Sequence, residues 1–223
     1  MNNLKIVGIS GVAGSGKDLF FDLLSKHLDD VYGLKCKKLS LADDLKEEAA
    51  EWTLEKYGID CRTCSREDKE VVRPLLVFHG TVRRGQTKGR YWIDKLDKKI
   101  KNLKLDDGEV LVITDIRYCQ YEEDEVFWLK NELGGTLVHL TSFIKAGSSL
   151  HSPPVIIEKS PANDAEKSND PKLKEAADYP VRWEFLDGTQ DEIDNTLTDR
   201  HIKHFVNSHL KIKDPAITEH PKL

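Results

Sequence analysis

A glycine-rich segment near the start of the sequence has the residue types and the spacing that bind phosphate. It runs Gly11-Val12-Ala13-Gly14-Ser15-Gly16-Lys17 and fits the pattern G-x-x-x-x-G-K. Glycines let successive backbone N–H groups converge on one oxyanion, and the N-terminus of a following helix adds a positive partial charge. Lys17 supplies a point charge for the β- and γ-phosphates. A chance glycine-rich turn is the alternative, but the strand and helix patterns on either side favour a nucleoside triphosphate site.

The residue after this lysine departs from the usual pattern. A Ser or Thr hydroxyl normally coordinates Mg²⁺ at that position, and here it is Asp18. A carboxylate beside a polyphosphate is repelled unless a cation lies between them. Asp18 therefore either binds Mg²⁺, directly or through water, or caps the N-terminus of the helix, and we favour the metal.

A second acidic residue closes the clearest buried strand. Val110-Leu111-Val112-Ile113-Thr114 ends in Asp115. Parallel strands leave their carboxyl ends on one edge of a sheet, so Asp115 is expected near the phosphate loop, at the Mg²⁺ ion or an attacking oxygen. An ordinary acidic turn residue is the alternative. Arg117 suits a phosphate-binding fork, which gives Lys17, Asp115 and Arg117 as candidate catalytic residues and Asp18 and Asp115 as candidate metal ligands.

The segment from 62 to 92 is rich in arginine. It contains Arg62, Arg66, Arg73, Arg83, Arg84 and Arg90, interleaved with apolar residues. Such a helix is usually a solvated face, but this one lies between the second and third strands, where a phosphorylated acceptor could be held. We expect two or three of these arginines to bind it, Arg73 and Arg83 first among them, with Arg62 and Arg66 peripheral.

The apolar patterns that must position these residues alternate between strands and helices, which predicts an α/β domain with a parallel sheet. Strands are expected at 4–9, 36–41, 110–114, 136–140 and 183–186, and helices at 17–32, 42–57, 121–133 and from a capping box at 189–192. Residues 142–180 show little periodicity and are expected to be a lid or unstructured. We therefore predict one domain over 1–223, with its core at 1–60, 106–141 and 181–210, an acceptor-binding segment at 61–105, the lid at 142–180 and a loose tail at 211–223.

The composition excludes several classes of protein. The chain has 223 residues, 39% hydrophobic and 33% charged, with a net charge of −5, which argues against a disordered protein and against a basic nucleic-acid-binding surface. Without an apolar run long enough to span a bilayer, it is expected to be cytoplasmic. Cys61 and Cys64 form a CxxC pair without a second pair, so reduced thiols are favoured over zinc.

The loop Gly14-Ser15-Gly16-Lys17-Asp18 resembles that of the deoxynucleoside monophosphate kinases of tailed phages, and phosphomevalonate kinases of the animal type share the aspartate. Three further stretches over residues 4–141 are similar to the phage-type enzymes. They are Leu41-Ala42-Asp43-Asp44-Leu45-Lys46, the series from Arg73-Pro74-Leu75-Leu76 through His79-Gly80-Thr81-Val82-Arg83-Arg84 to Tyr91-Trp92-Ile93, and Thr114-Asp115-Ile116-Arg117.

This resemblance implies a three-layer α/β/α P-loop fold with a five-stranded parallel sheet in the order 2-3-1-4-5 and a lid. It implies a kinase that uses ATP and Mg²⁺ to phosphorylate a deoxynucleoside monophosphate, in the host cytoplasm if a phage encodes it. The charge and hydropathy of the chain predict no nucleic-acid or membrane partner, and whether it forms a homodimer is left open. The nucleotide would bind along Gly11, Val12, Ala13, Gly14, Ser15, Gly16, Lys17 and Asp18. The acceptor would bind at Asp43, Lys46, Arg73, Arg83, Arg84, Trp92 and Arg117.

The lid departs from that family, whose members usually carry arginine just after the fourth strand. Here the same place offers Lys145, and Arg182 is the only arginine between Arg117 and Arg200. Lys145 and Arg182 are therefore the lid candidates, with further lysines beyond Lys145. Two alternatives to the nucleotide kinase remain: a kinase for another phosphorylated acceptor, such as phosphomevalonate or dephospho-coenzyme A, and a nucleotide-gated binding module.

Overall fold

A computed structural model describes residues 4–104, 108–147 and 153–212. The predicted loose tail lies almost entirely outside the described residues. The elements are β1 (Lys5–Ser10), α1 (Lys17–Tyr32), β2 (Cys36–Ser40), α2 (Leu41–Tyr57), α3 (Arg66–Gln86), α4 (Arg90–Asn102), β3 (Val110–Ile116), α5 (Glu125–Phe127), β4 (Thr136–Ala146), β5 (Val155–Glu158), α6 (Asp164–Ala176), β6 (Tyr179–Glu184), α7 (Gln190–Leu197) and α8 (Lys203–Phe205). Helix α5 continues as a π-helical turn, Trp128–Glu132, and π-helical turns Thr198–Ile202 and Val206–Leu210 flank α8.

The strands form one sheet whose parallel part has the order β2-β3-β1-β4-β6. Counted by the five strands that the sequence predicts, this is the order 2-3-1-4-5, so the fold class is confirmed. The carboxyl ends of β1, β2, β3 and β4 therefore lie at one edge, together with the loop that joins β1 to α1.

The predicted lid contains regular structure that the sequence did not reveal. Strand β4 runs on to Ala146, and its last four residues pair antiparallel with β5, so the sheet has a sixth strand. Helix α6 follows, and Asn163 caps it by accepting a hydrogen bond from the backbone N–H of Glu166. The unstructured alternative for 142–180 is thus wrong over the described residues, and the lid stays a prediction. The sequence did not reveal these elements because their few apolar residues are spread over short stretches instead of forming one periodic run.

Two elements also begin or end at residues other than the predicted ones. The last strand is Tyr179–Glu184 instead of 183–186, and it contains Pro180. Proline is tolerated there because β6 pairs with β4 alone, among the described strands, and so lies at the sheet edge. The helix expected from 121 begins at Glu125 because Asp124 caps it.

Helices cover both faces of the sheet. On one face α1 and the helical segment 190–210 enclose a core that includes Phe20, Trp183 and Phe205. On the other face α2, α4, α5 and α6 pack on Ile113, Leu137 and neighbouring strand residues. Helix α3 packs against α2 and α4 instead of against the sheet. Within the described ranges, the chain has no helix long and apolar enough to cross a bilayer.

Candidate functional site

The loop between β1 and α1 is held from the far end of the chain. Gly16 has φ 93°, and a Cβ atom at this position would lie 2.5 Å from Cζ2 of Trp183. The Trp183 indole Nε1–H donates to the Ser15 carbonyl oxygen at 2.9 Å. Glycine is therefore required at position 16 for two reasons, its left-handed backbone and the ring that packs against it.

Lys17 reaches back along this loop. Its Nζ donates to the carbonyl oxygens of Gly11 at 2.8 Å and Val12 at 3.0 Å. Burial lowers the pKa of this ammonium group, while the nearby Asp115 carboxylate opposes that shift. A partly desolvated cation that faces the concave side of a glycine-rich loop is suited to bind a phosphate oxygen.

Asp115 occupies an unusual backbone position where β3 ends. Its φ is 64°, and the pairing of β1 with β3 shifts register at this point. Aspartate tolerates the left-handed region better than most residues. Its carboxylate accepts hydrogen bonds from Ser40 Oγ at 3.0 Å and from Arg117 NH2 at 2.8 Å. Burial would raise the pKa of Asp115, but Arg117 and Lys17 outweigh it and hold the pKa well below its usual range.

Asp18 lies in the first turn of α1 and points into solvent. Its side chain is 85% exposed and pairs with Lys38 Nζ at 2.6 Å. The N-cap of α1 is Gly16, which makes no side-chain capping hydrogen bond, so Asp18 does not cap the helix in that way. Mg²⁺ is commonly bound through one or two carboxylates together with substrate phosphates. Asp18 and Asp115 both line the cleft beside the loop and fit that donor set. Among the described residues, no group of three or more His, Cys, Asp or Glu side chains is arranged so that it could hold a metal ion.

The phosphate loop opens onto a cleft of about 510 Å³. One wall is the loop edge of the sheet, with Lys17, Asp18 and Asp115. Much of the remaining lining comes from α2, α3 and α4 and is partly apolar and partly cationic. It includes Leu41, Leu45, Leu76, Val77 and Trp92, and the cations Lys46, Lys69 and Arg73. The lining of the cleft thus combines the loop between β1 and α1 with an apolar surface and several cations.

Most of the predicted acceptor residues meet in this cleft. Those lining it are Asp43, Lys46, Arg73, Arg84, Trp92 and Arg117. Arg73 also pairs with Glu70, three residues earlier on α3. Arg117 bridges two carboxylates, donating to Asp115 and, at 3.2 Å, to Oε1 of Glu166.

Arg84, predicted to bind substrate, is instead held in a buried ion-pair network. Its guanidinium donates to Glu125 at 2.9 Å and to both oxygens of Asp124 at 2.7 and 2.8 Å, and it stacks over Tyr118 at 3.7 Å. Its side chain is 5% exposed. Burial raises the pKa of Glu125 to about 7, although Arg84 acts in the opposite direction. Glu125 also accepts from the backbone N–H of Arg117, so this network fixes the turn after β3.

Arg83 is absent from the described residues that line the cleft. Its guanidinium lies over the Tyr91 ring at 4.8 Å and 3.8 Å from Glu48, on another side of α3. The structure therefore does not bring Arg83 to the predicted acceptor site. Arg62 pairs with Asp60 and Glu47, as expected of a peripheral residue.

The two predicted lid cations also lie away from the cleft lining. Lys145 pairs with Glu184 at 2.6 Å, and Arg182 pairs with Glu158 at 2.9 Å. Another lid lysine is closer to the loop. A Cβ atom at Gly14 would lie 3.3 Å from Cε of Lys159, whose backbone N–H donates to Ser142 in the hairpin of β4 and β5.

Sequence reasoning missed three groups at the site, Lys38, Lys69 and Glu166. Lys69 stands four residues before Arg73, so the helical period could have placed it on the same face of α3. Lys38 lies on β2, whose carboxyl end was predicted to reach this edge. Glu166 falls in the predicted lid, where the spacing from Asn163 to Glu166 is that of a helix N-terminus and could have indicated the start of α6, but nothing in the sequence pointed to its contact with the loop.

No family model matches the sequence, and no curated protein matches it significantly. Among solved structures, the chain is similar to a dephospho-CoA kinase from Campylobacter jejuni at 14% identity, with a TM-score of 0.40, over 92% of this chain and 98% of that one. It is also similar to a sugar kinase from Janibacter sp. at 15% identity, with a TM-score of 0.34, over 87% and 93% of the two chains. Similarities this low carry no argument about what the chain binds.

Proposed function

We propose that this chain is an ATP-dependent phosphotransferase whose acceptor is itself a phosphate ester, and that this acceptor is a deoxynucleoside monophosphate. The observation that carries the proposal is the cleft, whose lining brings together the glycine-rich loop with Lys17, several apolar side chains, and the cations Lys46, Lys69 and Arg73. A base or another flat apolar group suits Trp92 and the leucines, and a phosphate suits the cations. The deoxynucleotide itself rests on the resemblance of the loop and of the α2–α4 segment to the phage-type kinases.

The roles of the residues follow from the charges involved. An oxygen of the acceptor phosphate attacks the γ-phosphorus, and the bond to the β–γ bridging oxygen breaks to release ADP. Since the attacking oxygen is already anionic, no general base is needed, and catalysis consists of positioning and charge neutralisation. Lys17 binds the nucleotide phosphates, Arg73 holds the acceptor phosphate, and Arg117 stands between the two.

Asp18 and Asp115 would hold Mg²⁺, which when bound neutralises charge on the polyphosphate. Without it, the same carboxylates would repel the nucleotide. Lys38 pairs with Asp18, and Ser40 and Arg117 bond Asp115, so both carboxylates are kept in place.

The test is a coupled assay of ADP formation from ATP and Mg²⁺ with each deoxy- and ribonucleoside monophosphate as acceptor. We expect turnover to require an acceptor, to be fastest with a deoxynucleotide and to be lost in Lys17→Ala, since removing one preorganised charge typically costs about 10²–10³ in rate. Turnover with dephospho-coenzyme A or phosphomevalonate alone would assign the other acceptor class. ADP formation that ignores every acceptor would favour the nucleotide-gated module.

A further inference from the structure

A carboxylate from the lid occupies hydrogen-bond donors of the phosphate site. Oε2 of Glu166 accepts from the backbone N–H of Ala13 in the phosphate loop at 3.2 Å, and Oε1 accepts from Arg117 NH1 at 3.2 Å. Ala13 and Arg117 both line the cleft. Glu166 is 8% exposed, so this is an enclosed contact across 153 residues of sequence and not a surface ion pair.

Part of the Glu166 geometry is local. Its backbone N–H bonds Asn163, and its Oε2 also accepts from the Ala162 N–H at 2.9 Å, which together cap α6. Capping of α6 does not require the hydrogen bonds that Glu166 accepts from Ala13 and Arg117. The side chain therefore joins the start of α6 to the phosphate loop.

We propose that Glu166 is a built-in competitor of the nucleotide phosphates: its carboxylate holds donors that a phosphate needs and must leave them when a nucleotide binds. The inference rests on the proposed nucleotide site. A backbone N–H and a guanidinium that accept a carboxylate equally suit a phosphate oxygen, and two anions cannot share them without strong repulsion. Glu166 thus sets how tightly the site binds a polyphosphate.

The displacement is confined to the first turn of α6. Further along, Leu173 is buried in the core, and Asp170 pairs with the buried His139 on β4 at 3.0 Å. Asn169 accepts from the backbone N–H of Cys119. These contacts keep the rest of the helix on the sheet while the Glu166 side chain moves.

The test is the Kd of Mg·ATP, measured by calorimetry for wild type, Glu166→Gln and Glu166→Ala. Glutamine keeps the size and one acceptor but removes the charge, so both variants are expected to bind about tenfold more tightly than wild type. Asp164→Asn is the matched control, since it removes one charge from the same turn at an exposed position and should change the Kd less than about twofold. Equal or weaker binding by Glu166→Gln, the result expected if Glu166 orients Arg117 for the nucleotide, would overturn the proposal.

A second readout needs no variant. Hydrogen exchange of the amides at 162–167 in wild type should become faster when Mg·ATP binds, because the Ala162 N–H loses its carboxylate partner; unchanged or slower exchange contradicts the inference. Lys17→Ala distinguishes a failure of the Glu166 proposal from a failure of the proposed nucleotide site. If wild type binds ATP and Lys17→Ala does not, the nucleotide site stands whatever Glu166 does. If wild type does not bind ATP, both proposals fall.

Discussion

At the scale of single residues, neighbouring arginines on α3 have different surroundings. Arg73 lines the cleft, Arg84 is buried among carboxylates, and Arg83 contacts Tyr91 and Glu48. Consecutive helical residues point about 100° apart, which turns Arg83 away from the cleft that Arg84, one residue later, still lines. Arg73 and Arg84 share nearly the same phase, so their different surroundings come from their positions along the helix. The role of each arginine in a basic segment must therefore be judged position by position.

Arg73→Lys is expected to weaken acceptor binding selectively. Lysine keeps the charge but loses the planar fork, so the KM for the monophosphate should rise about tenfold or more while the KM for ATP changes little. Steady-state kinetics with each substrate varied in turn measures both constants. Arg62→Lys is the control, because Arg62 pairs with Asp60 and does not line the cleft. Arg83 does not line the cleft either, so Arg83→Lys is expected to behave like this control. An equal rise in Arg62→Lys would show that the acceptor binds elsewhere.

Asp18 is expected to act through Mg²⁺. Asp18→Asn should raise the Mg²⁺ concentration needed for half-maximal rate several-fold, since a charged ligand is replaced by a neutral one. The measurement is a Mg²⁺ titration at saturating ATP. Asp22→Asn, four residues later on α1, is the control for loss of one charge. An unchanged titration would remove Asp18 from the metal site.

At the scale of elements, helix α3 is fixed to the turn after β3 by charge and to α2 and α4 by a second polar cluster. The first contact is Arg84 with Asp124 and Glu125. The second is Glu48 of α2, which accepts from Tyr91 at 2.6 Å and from Lys95 at 2.7 Å, and contacts His79 of α3 at 3.0 Å. Two polar networks thus join α3 to its neighbours, in addition to the apolar packing of Val72 and Leu76.

Arg84→Met is expected to destabilise the fold by about 3–5 kcal/mol, because it leaves the Asp124 and Glu125 carboxylates buried without their cation. Urea unfolding gives the free energy. Arg83→Met removes an equal charge one residue earlier, where the side chain is 39% exposed, and should cost under about 1 kcal/mol. Similar losses in the two variants would mean that the buried network contributes little.

Glu48 is expected to make the free energy of unfolding depend on pH. Burial would raise its pKa, but hydrogen bonds from Lys95, Tyr91 and His79 outweigh burial and lower the pKa to about 2. A folded pKa below the unfolded value of about 4.5 means that the stabilisation is present above pH 4.5 and is lost as the pH falls towards 2.

The measurement for Glu48 is the free energy of urea unfolding at pH 6 and pH 3.5. Glu48→Gln should be less stable than wild type by about 2 kcal/mol at pH 6, and the difference should shrink at pH 3.5. Glu51→Gln, an exposed residue of the same helix, should behave as wild type. A Glu48→Gln deficit that stays constant across this range would contradict the ionic origin.

At the scale of the whole molecule, the sequence was sufficient for the five parallel strands, though not for β5, and for the glycine-rich loop, because these are local patterns. Buried strands appear as short apolar runs, and the loop lies within seven residues. The phase of α3 was not predictable from its apolar residues, which form two groups, Val71-Val72 and Leu75-Leu76-Val77-Phe78, on either side of Arg73-Pro74. Tertiary packing decides that Val72 and Leu76 are buried while Val71 and Phe78 are exposed. The Glu166 contact depends on a lid whose fold has no sequence period.

The contact between Trp183 and the phosphate loop has a consequence for how the protein is made. The indole N–H bonds Ser15 across 168 residues, and the Ser10 hydroxyl in β1 bonds the carbonyl of Val138 across 128. At about 5–20 residues per second, translation separates the two ends of the longer contact by roughly 10–30 s. During that time the growing chain exposes a loop whose supports are not yet synthesised, so the loop gains its contact with Trp183 only after the last strand has left the ribosome.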